Sequence, residues 1–182
     1  FMLSNGGEGL AFETIVTAGR NGSEPHHIPT DYRIKNGDLI TMDFGCMYDE
    51  GCSDMTRTIA LGNINEMQKN IYGIVLEAQK IGLAEVIASK STHKIDNIVR
   101  GHIERAGYGE SYIHGTGHGV GREVHEEPYI NKSTDYVLDE NMAVTIEPGI
   151  YRLSEMGVRI EDLVIVTKFG HINLCHSPKE LI

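Results

Sequence analysis

The sequence predicts an α+β domain built from two similar halves, and three features of the chain lead to this prediction. Two stretches near the middle carry apolar residues at helical spacing. Short β-rich runs, separated by glycine, lie on both sides of these stretches. One run, Leu39–Gly45, resembles another, Ala143–Gly149, because each has an apolar segment, then a carboxylate, then a glycine two places on. A second acid follows each of these two runs, Asp54 after the first and Glu161 after the second. This arrangement indicates two strand pairs that face one another.

The element boundaries follow from local signals. The first helix is predicted over Glu66–Ile87 and the second over Ser91–Ala106. Ser91 or Thr92 can cap the start of the second helix, and Gly107 stands directly after its end, where glycine is favoured. Five runs are predicted as strands: Phe12–Thr17, Leu39–Phe44, Asp54–Leu61, Met142–Glu147 and Gly157–Thr167.

Composition excludes several classes of protein. The 182 residues include 26 acidic and 16 basic side chains, so the formal net charge is −10. This charge argues against nucleic acid or an anionic membrane as the main partner. No apolar run approaches the roughly 18 residues that a membrane span needs, and no signal peptide opens the chain. The 3 cysteines lack the spacing of a zinc finger or a disulfide framework, so we expect a reducing, cytoplasmic setting.

Four acids lie in or beside the predicted apolar strands. Burying an ionised carboxylate costs several kcal/mol unless a positive group pairs with it. Asp43 and Glu147 each precede a glycine-containing segment, so each could simply end a strand at a turn. The four acids are Asp43, Asp54, Glu147 and Glu161.

Ion pairs offer a second structural explanation for two of these acids. Asp54 could pair with Arg57, three residues away. Glu161 could pair with Arg159, because alternation along a strand places both side chains on one face. Taken together, however, the acids outnumber the nearby arginines. A pair of divalent metal ions would neutralise all four carboxylates and explain their burial.

A glycine-rich segment supplies the imidazoles that such a site would use. His114, His118 and His125 lie within 12 residues and are interleaved with glycines, which let a backbone approach a ligand closely. A phosphate-binding loop is disfavoured, because the Lys-Ser/Thr ending is missing. Oxygen donors combined with imidazole favour Mn²⁺, Co²⁺, Fe²⁺ or Zn²⁺.

These motifs together resemble a known family. The segments Met42–Gly45, Ser53–Thr58, His114–Gly121, Thr145–Tyr151 and Val158–Asp162 are similar, in order and content, to those of the dinuclear pita-bread metallopeptidases. Within that family the chain resembles the Xaa-Pro peptidases, aminopeptidase P and prolidase. The resemblance runs from about Phe12 to Ile182.

The resemblance implies a ligand set for two metal ions. Asp43 matches the acid that binds one metal ion, and Asp54 and Glu161 match the acids that bridge both ions. His118 and Glu147 match the remaining ligands. Manganese is the expected metal, with cobalt or zinc as alternatives.

The resemblance also implies residues that act on the substrate. His26 matches a histidine that contacts substrate near the scissile bond, and His125 matches one that holds the peptide carbonyl as negative charge develops. Arg159 matches an arginine that pairs with carboxylates of the metal site. The implied activity is hydrolysis of the bond between an N-terminal residue and proline, by a hydroxide that two metal ions share. Glu147 would move the proton to the leaving nitrogen.

The resemblance further implies how the domain is organised. We expect residues 1–182 to form a pita-bread catalytic domain that is N-terminally incomplete, since the family begins this domain with two helices and only Phe1–Gly9 precedes the first strand. The family's preceding domain is also missing from the chain. In the complete enzyme we expect a homodimer.

Two other functions remain open at this point. Methionine aminopeptidases share the metal ligands, although the segments around Asp54 and His125 resemble the Xaa-Pro group more closely. A non-catalytic pita-bread binding module is the other possibility, and it predicts substituted ligands, whereas all five are present here.

Overall fold

Two α-helices and a set of short strands make up the part of the chain that can be described. The computed structural model describes residues 1–181, so Ile182, the last residue of the expected domain, lies outside the described residues. The helices are α1 (Glu66–Glu85) and α2 (Thr92–Arg105). The strands are β1 (Gly9–Leu10), β2 (Ile15–Ala18), β3 (Leu39–Phe44), β4 (Cys46–Tyr48), β5 (Gly51–Cys52), β6 (Met55–Ala60), β7 (Gly117–Gly119), β8 (Glu126–Ile130), β9 (Ala143–Ile146), β10 (Gly149–Arg152), β11 (Met156–Arg159), β12 (Asp162–Thr167) and β13 (Gly170–Asn173).

Local capping signals set the helix boundaries. At the start of α1, Asn65 and Gln68 exchange side-chain and backbone hydrogen bonds in a capping box. The Ser91 hydroxyl accepts a hydrogen bond from the Lys94 amide, so Ser91 caps α2 as predicted. Gly107 follows α2 with φ +88°, a conformation that favours glycine. The helix α1 ends two residues before the predicted boundary, and the next residue, Val86, is extended with its side chain fully buried.

The prediction of one continuous strand over Gly157–Thr167 is wrong. The chain forms β11 and β12 instead, and it leaves regular pairing at residues 160–161. The physical reason is a change of partner, because β11 pairs with β10 in a hairpin whereas β12 pairs with β9 and β13. Glu161 therefore lies at the break between two strands, not in the middle of one.

Strand pairing shows the two halves. The first half contains the antiparallel sheet β2-β3-β6, and the second contains the sheet β13-β12-β9-β7-β8. The halves meet where the Glu161 amide donates to the carbonyl oxygen of Thr56, at 3.1 Å. The Thr58 hydroxyl adds two hydrogen bonds to the backbone of Arg159. The acid-bearing strands of both halves are thus held side by side.

Both helices pack on the same assembly of strands and form its core. The buried side chains of Ile71 and Val75 on α1 lie in one cluster with Leu39, Ile150 and Val158 from the strands. A second buried cluster covers the five-stranded sheet of the second half. It contains Leu83, Ile95, Val144, Ile146 and Val164. The acids at the ends of the strands are therefore fixed from behind by packed apolar side chains. Neither helix of the described chain has the length and apolar character that crossing a membrane requires.

Candidate metal centre and cleft

A cleft of about 830 Å³ lies between the two halves. All eight site residues predicted from the sequence line it, namely His26, Asp43, Asp54, His118, His125, Glu147, Arg159 and Glu161. Apolar side chains from both halves form part of its wall; these are Phe12, Ile15, Ile28, Ile113 and Tyr129. The cleft therefore combines an ionisable floor with apolar walls.

The first-half acids are brought together by the pairing of two strands. Asp43 lies near the end of β3, opposite Thr56 on β6, and Asp54 directly precedes β6. Both carboxylates are buried. One oxygen of Asp43, Oδ1, is buried and has no hydrogen-bond partner among the described residues.

The second-half acids also lie at or just beyond the ends of paired strands. Glu147 directly follows β9 and Glu161 directly precedes β12, and Ile146 pairs with Asp162 in the ladder between those strands. The Glu161 side chain is almost completely buried and accepts a hydrogen bond of 2.7 Å from the Thr56 hydroxyl. This bond reaches across from the other half of the fold.

A glycine lets His118 enter the site from β7. A Cβ atom at Gly117 would lie 1.9 Å from the carbonyl oxygen of Thr145, so this close approach of β7 to β9 requires glycine. The His118 Nδ1 lies 3.0 Å from the carbonyl oxygen of Gly119, to which it donates its proton. The Nε2 lone pair is then free to bind, and it faces Glu147 Oε1 at 3.3 Å and Asp54 Oδ2 at 3.7 Å.

The five predicted ligands lie close together. In two overlapping groups the potential ligand atoms are all within 4.8 Å of one another: Asp43, Asp54 and Glu161 form the first, and His118, Glu147 and Glu161 form the second. Glu161 belongs to both. Two neighbouring metal ions, which lie roughly 3.5–4 Å apart in such sites, would need a shared acid of this kind.

Burial and the proximity of like charges raise the pKa values of Asp54, Glu147 and Glu161. Burial, followed by the charges of Asp43 and Glu147, raises the pKa of Asp54 to about 8. Burial raises the pKa of Glu147 to about 7 and that of Glu161 well above its ordinary value. Burial lowers the pKa of His118 to about 4, so its imidazole is neutral at pH 7. Without a cation, Asp54 therefore keeps a proton at pH 7 that an ordinary aspartic acid would release.

This donor set fits divalent metal ions. It offers carboxylates from both halves of the fold and a neutral imidazole with a free lone pair. It also offers Oδ1 of Asp43, which has no hydrogen-bond partner among the described residues. The second nitrogen of His118 is held by a carbonyl oxygen, an arrangement typical of metal-binding histidines. A cation would offset the burial and the mutual repulsion that raise the pKa values of Asp54, Glu147 and Glu161.

Neither ion pair considered from the sequence forms. Arg159 pairs with Asp43 at 2.6 Å and not with Glu161, and it also donates to the hydroxyls of Tyr151 and Thr56. Arg57 pairs with Asp162 at 2.7 Å and not with Asp54. These arginines reach acids more than 100 positions away in the chain.

The two histidines expected to act on substrate line the cleft and are accessible to solvent. His26 and His125 are both exposed, in contrast to His118. The ring of His125 stacks edge-on against that of His118, with centroids 4.4 Å apart. A nitrogen of His125 also lies within 4.8 Å of ligand atoms of Asp54 and His118. Geometry thus allows His125 either to face a substrate or to reach a metal ion.

Sequence reasoning gave no role to a chain of hydrogen bonds beside the acids. Arg159 Nη1 donates to the Tyr151 hydroxyl at 2.9 Å, and this hydroxyl lies 2.9 Å from Nε2 of His114. His114 Nδ1 donates to the carbonyl oxygen of Gly115, so the Tyr151 hydroxyl donates to Nε2. Burial lowers the pKa of His114 to about 4. Sequence analysis had marked His114 and Arg159 separately, and the only signal for Tyr151 between them was its position four residues after Glu147.

The raised pKa of Asp54 predicts how stability depends on pH. Its pKa of about 8 in the folded state exceeds the ordinary value near 4, so the folded state retains a proton that the unfolded state releases. In the metal-free whole protein, we therefore expect the unfolding temperature to fall as the pH rises from about 4 to 8. Asp54→Asn should reduce this slope, while Glu77→Gln, at an exposed position on α1, should preserve it. Thermal unfolding in a chelator checks this, and an equal slope in wild type and Asp54→Asn would contradict it.

Comparisons with known proteins agree with this geometry. The chain is 45% identical over 181 residues to the Xaa-Pro dipeptidase of Pyrococcus furiosus, an alignment that covers 100% of this chain and 52% of that protein. The structure superposes on the prolidase of Pyrococcus horikoshii with a TM-score of 0.97 and 46% identity, covering 100% of this chain and 52% of the other. For the X-Pro aminopeptidase of Thermotoga maritima the TM-score is 0.95 at 39% identity, with 100% and 51% covered.

These matches confirm the pita-bread fold expected from the sequence. The chain spans about half the length of the relatives that it matches. The model of metallopeptidase family M24 matches residues 1–168, which include all eight predicted site residues. On this match the chain belongs to metallopeptidase family M24.

Proposed function

We propose that the whole protein removes an N-terminal residue from peptides in which proline is the second residue, and that it uses two divalent metal ions. The observation that carries this proposal is the convergence of five ligand-type side chains on the floor of the cleft. The substrate class is taken from relatives named Xaa-Pro dipeptidase and prolidase.

In this proposal Asp43, Asp54, His118, Glu147 and Glu161 hold the metal ions. Asp54 and Glu161 would be the acids shared by the two ions, and manganese would be the native metal, with cobalt or zinc as alternatives. When bound, the metal ions supply an activated water and polarise the scissile carbonyl group. Arg159 keeps Asp43 oriented through the ion pair of 2.6 Å.

The remaining steps belong to side chains of the cleft. Glu147 would accept a proton from the attacking water and pass it to the leaving nitrogen. His125 donates a hydrogen bond to the carbonyl oxygen as negative charge develops there. His26 contacts the substrate near the bond that breaks.

Proline at the second position imposes two requirements. The bond before proline is a tertiary amide, so its nitrogen carries no hydrogen and must receive a proton in order to leave. The pyrrolidine ring must also find an apolar surface. The cleft offers such a surface in Ile28 and Ile113, two lining residues that are 81% and 64% exposed.

A peptide panel tests the proposed activity. We expect the whole protein, loaded with Mn²⁺, to cleave Xaa-Pro peptides and to leave Met-Gly peptides of equal length intact. A chelator should abolish the activity and added Mn²⁺ should restore it. Preferential cleavage of Met-Gly peptides would instead identify a methionine aminopeptidase. Failure to bind any divalent ion would favour a non-catalytic module.

The same proposal covers features of the whole protein. Residues 1–182 would form the catalytic pita-bread domain, with the family's leading helices and preceding domain supplied by chain outside this sequence. The assembled enzyme would be a homodimer in the cytoplasm. Sedimentation of the whole protein would test the dimer.

A further inference from the structure

The segment 174–181, here called the C-terminal strap, lies directly behind the acids of the cleft. The Leu174 amide donates to the carbonyl oxygen of Leu163 at 3.0 Å. The sulfur of Cys175 accepts from the Leu163 amide at 3.3 Å and lies 3.8 Å from the carbonyl oxygen of Asp54. Further along, Lys179 is fixed at its carbonyl oxygen by the Tyr72 hydroxyl. The strap is therefore tied at several points to elements that carry the proposed ligands.

Lys179 ends in a buried polar cluster. Its Nζ atom lies 2.5 Å from Oδ2 of Asp162, whose side chain is fully buried. The same carboxylate receives hydrogen bonds from Gln79 at 3.0 Å and Asn173 at 2.8 Å. Its other oxygen pairs with Arg57 at 2.7 Å. Asp162 is the residue next to Glu161, so this cluster holds the chain beside a proposed bridging acid.

Arg57 connects the cluster to the backbone of the site. One nitrogen, Nη1, donates to the carbonyl oxygens of Thr56, at 2.9 Å, and Glu161, at 2.5 Å. The Nε and Nη2 atoms donate to the carbonyl oxygen of Ser177 in the strap. Because the guanidinium is planar and rigid, these bonds fix the C-terminal strap, strand β6 and Glu161 relative to one another.

We propose that the C-terminal strap is a positioning element of the metal centre. Lys179 acts through Asp162 and Arg57 to hold the backbone of Glu161, and Cys175 supports that of Asp54. The two acids proposed to bridge the metal ions are thus both supported by one segment. This inference rests on the proposed metal site, and it assigns the strap no contact with substrate.

The general behaviour of metal sites sets the expected size of the effect. Replacing groups that orient the ligands typically weakens metal binding or activity by roughly 10–100-fold. Lys179→Met removes a charged partner but leaves Asp162 paired with Arg57, Gln79 and Asn173, so the fold should persist. We therefore expect metal affinity to fall by about 10-fold or more, at the lower end of that range. Lys179→Arg restores the charge and should recover most of the affinity.

Metal titration of the whole protein tests the inference without relying on peptidase activity. Purified metal-free wild type, Lys179→Met and Lys179→Arg are titrated with Co²⁺, and both the affinity and the visible absorption spectrum of bound Co²⁺ are recorded. Lys168→Met is the matched control, because Lys168 is exposed at the turn between β12 and β13. Lys179→Gln, which keeps a hydrogen-bond donor, is used if Lys179→Met does not fold.

The results separate three cases. Weaker binding and an altered Co²⁺ spectrum in Lys179→Met, with recovery in Lys179→Arg and no change in Lys168→Met, would support the strap's role. Normal affinity in a folded Lys179→Met or Lys179→Gln protein, even with a lower unfolding temperature, would overturn it. A wild-type protein that binds no Co²⁺ would overturn the metal site itself, and the strap inference with it.

Discussion

His125→Ala in the whole enzyme is expected to lower kcat by roughly 10²–10³ while both metal ions stay bound, since this is the usual cost of losing one donor to a developing oxyanion. His118→Ala should instead lose metal first and activity as a consequence. The expectation rests on a difference in burial, because His118 is buried with its free nitrogen directed at Glu147 and Asp54, whereas His125 is exposed.

Metal analysis of both purified variants, alongside turnover of an Xaa-Pro peptide, checks this division of roles. The test is demanding, because a nitrogen of His125 also lies within 4.8 Å of ligand atoms of Asp54 and His118. If His125→Ala emptied the site as thoroughly as His118→Ala, His125 would be a ligand and not an oxyanion donor. His102→Ala, on α2 and away from the lining of the cleft, is the matched control.

Features of the fold that are determined by residues close together in the sequence could be predicted. The strand Leu39–Phe44 has the predicted boundaries, because an apolar run and the following glycine are both local signals. The helix α2 was similarly marked by Ser91 at its start and Gly107 after its end. The break at residues 160–161 has no such signal. It arises because β11 and β12 pair with different strands, which is a property of the assembled sheets.

The same distinction applies to the site. Strand-end acids and glycine-flanked histidines indicated which side chains could hold metal, because their residue types and burial required a counter-charge. Residue types and spacing alone did not identify the acid beside either arginine, although the resemblance implied that Arg159 pairs with carboxylates of the metal site. Closeness in the sequence suggested Asp54 as the ion-pair partner of Arg57 and Glu161 as that of Arg159. In the folded chain, however, Asp162 lies beside Arg57 and Asp43 lies beside Arg159. Nothing in the local sequence encodes such pairing between the halves.

The buried pair of Arg159 and Asp43 predicts the largest effect on stability. The Arg159 and Asp43 side chains are only 4% and 13% exposed, so Arg159→Met leaves Asp43 buried and without its ion-pair partner. Removing one member of a buried ion pair typically costs about 3–5 kcal/mol of unfolding free energy. We expect a loss of this order in the metal-free protein, and a smaller loss at saturating Mn²⁺, because a bound cation would take over the compensation of Asp43.

Urea unfolding of the whole protein and of Arg159→Met, in chelator and in Mn²⁺, measures the loss of unfolding free energy under each condition. Arg122→Gln is the matched control, because Arg122 pairs with Glu50 at a site where both side chains are more than 70% exposed, and such pairs contribute little to stability. A double-mutant cycle with Asp43→Asn isolates the interaction between the two residues. If the two single losses simply add, the pair contributes nothing through its charges. The destabilisation by Arg159→Met would then come from its lost hydrogen bonds to Tyr151 and Thr56.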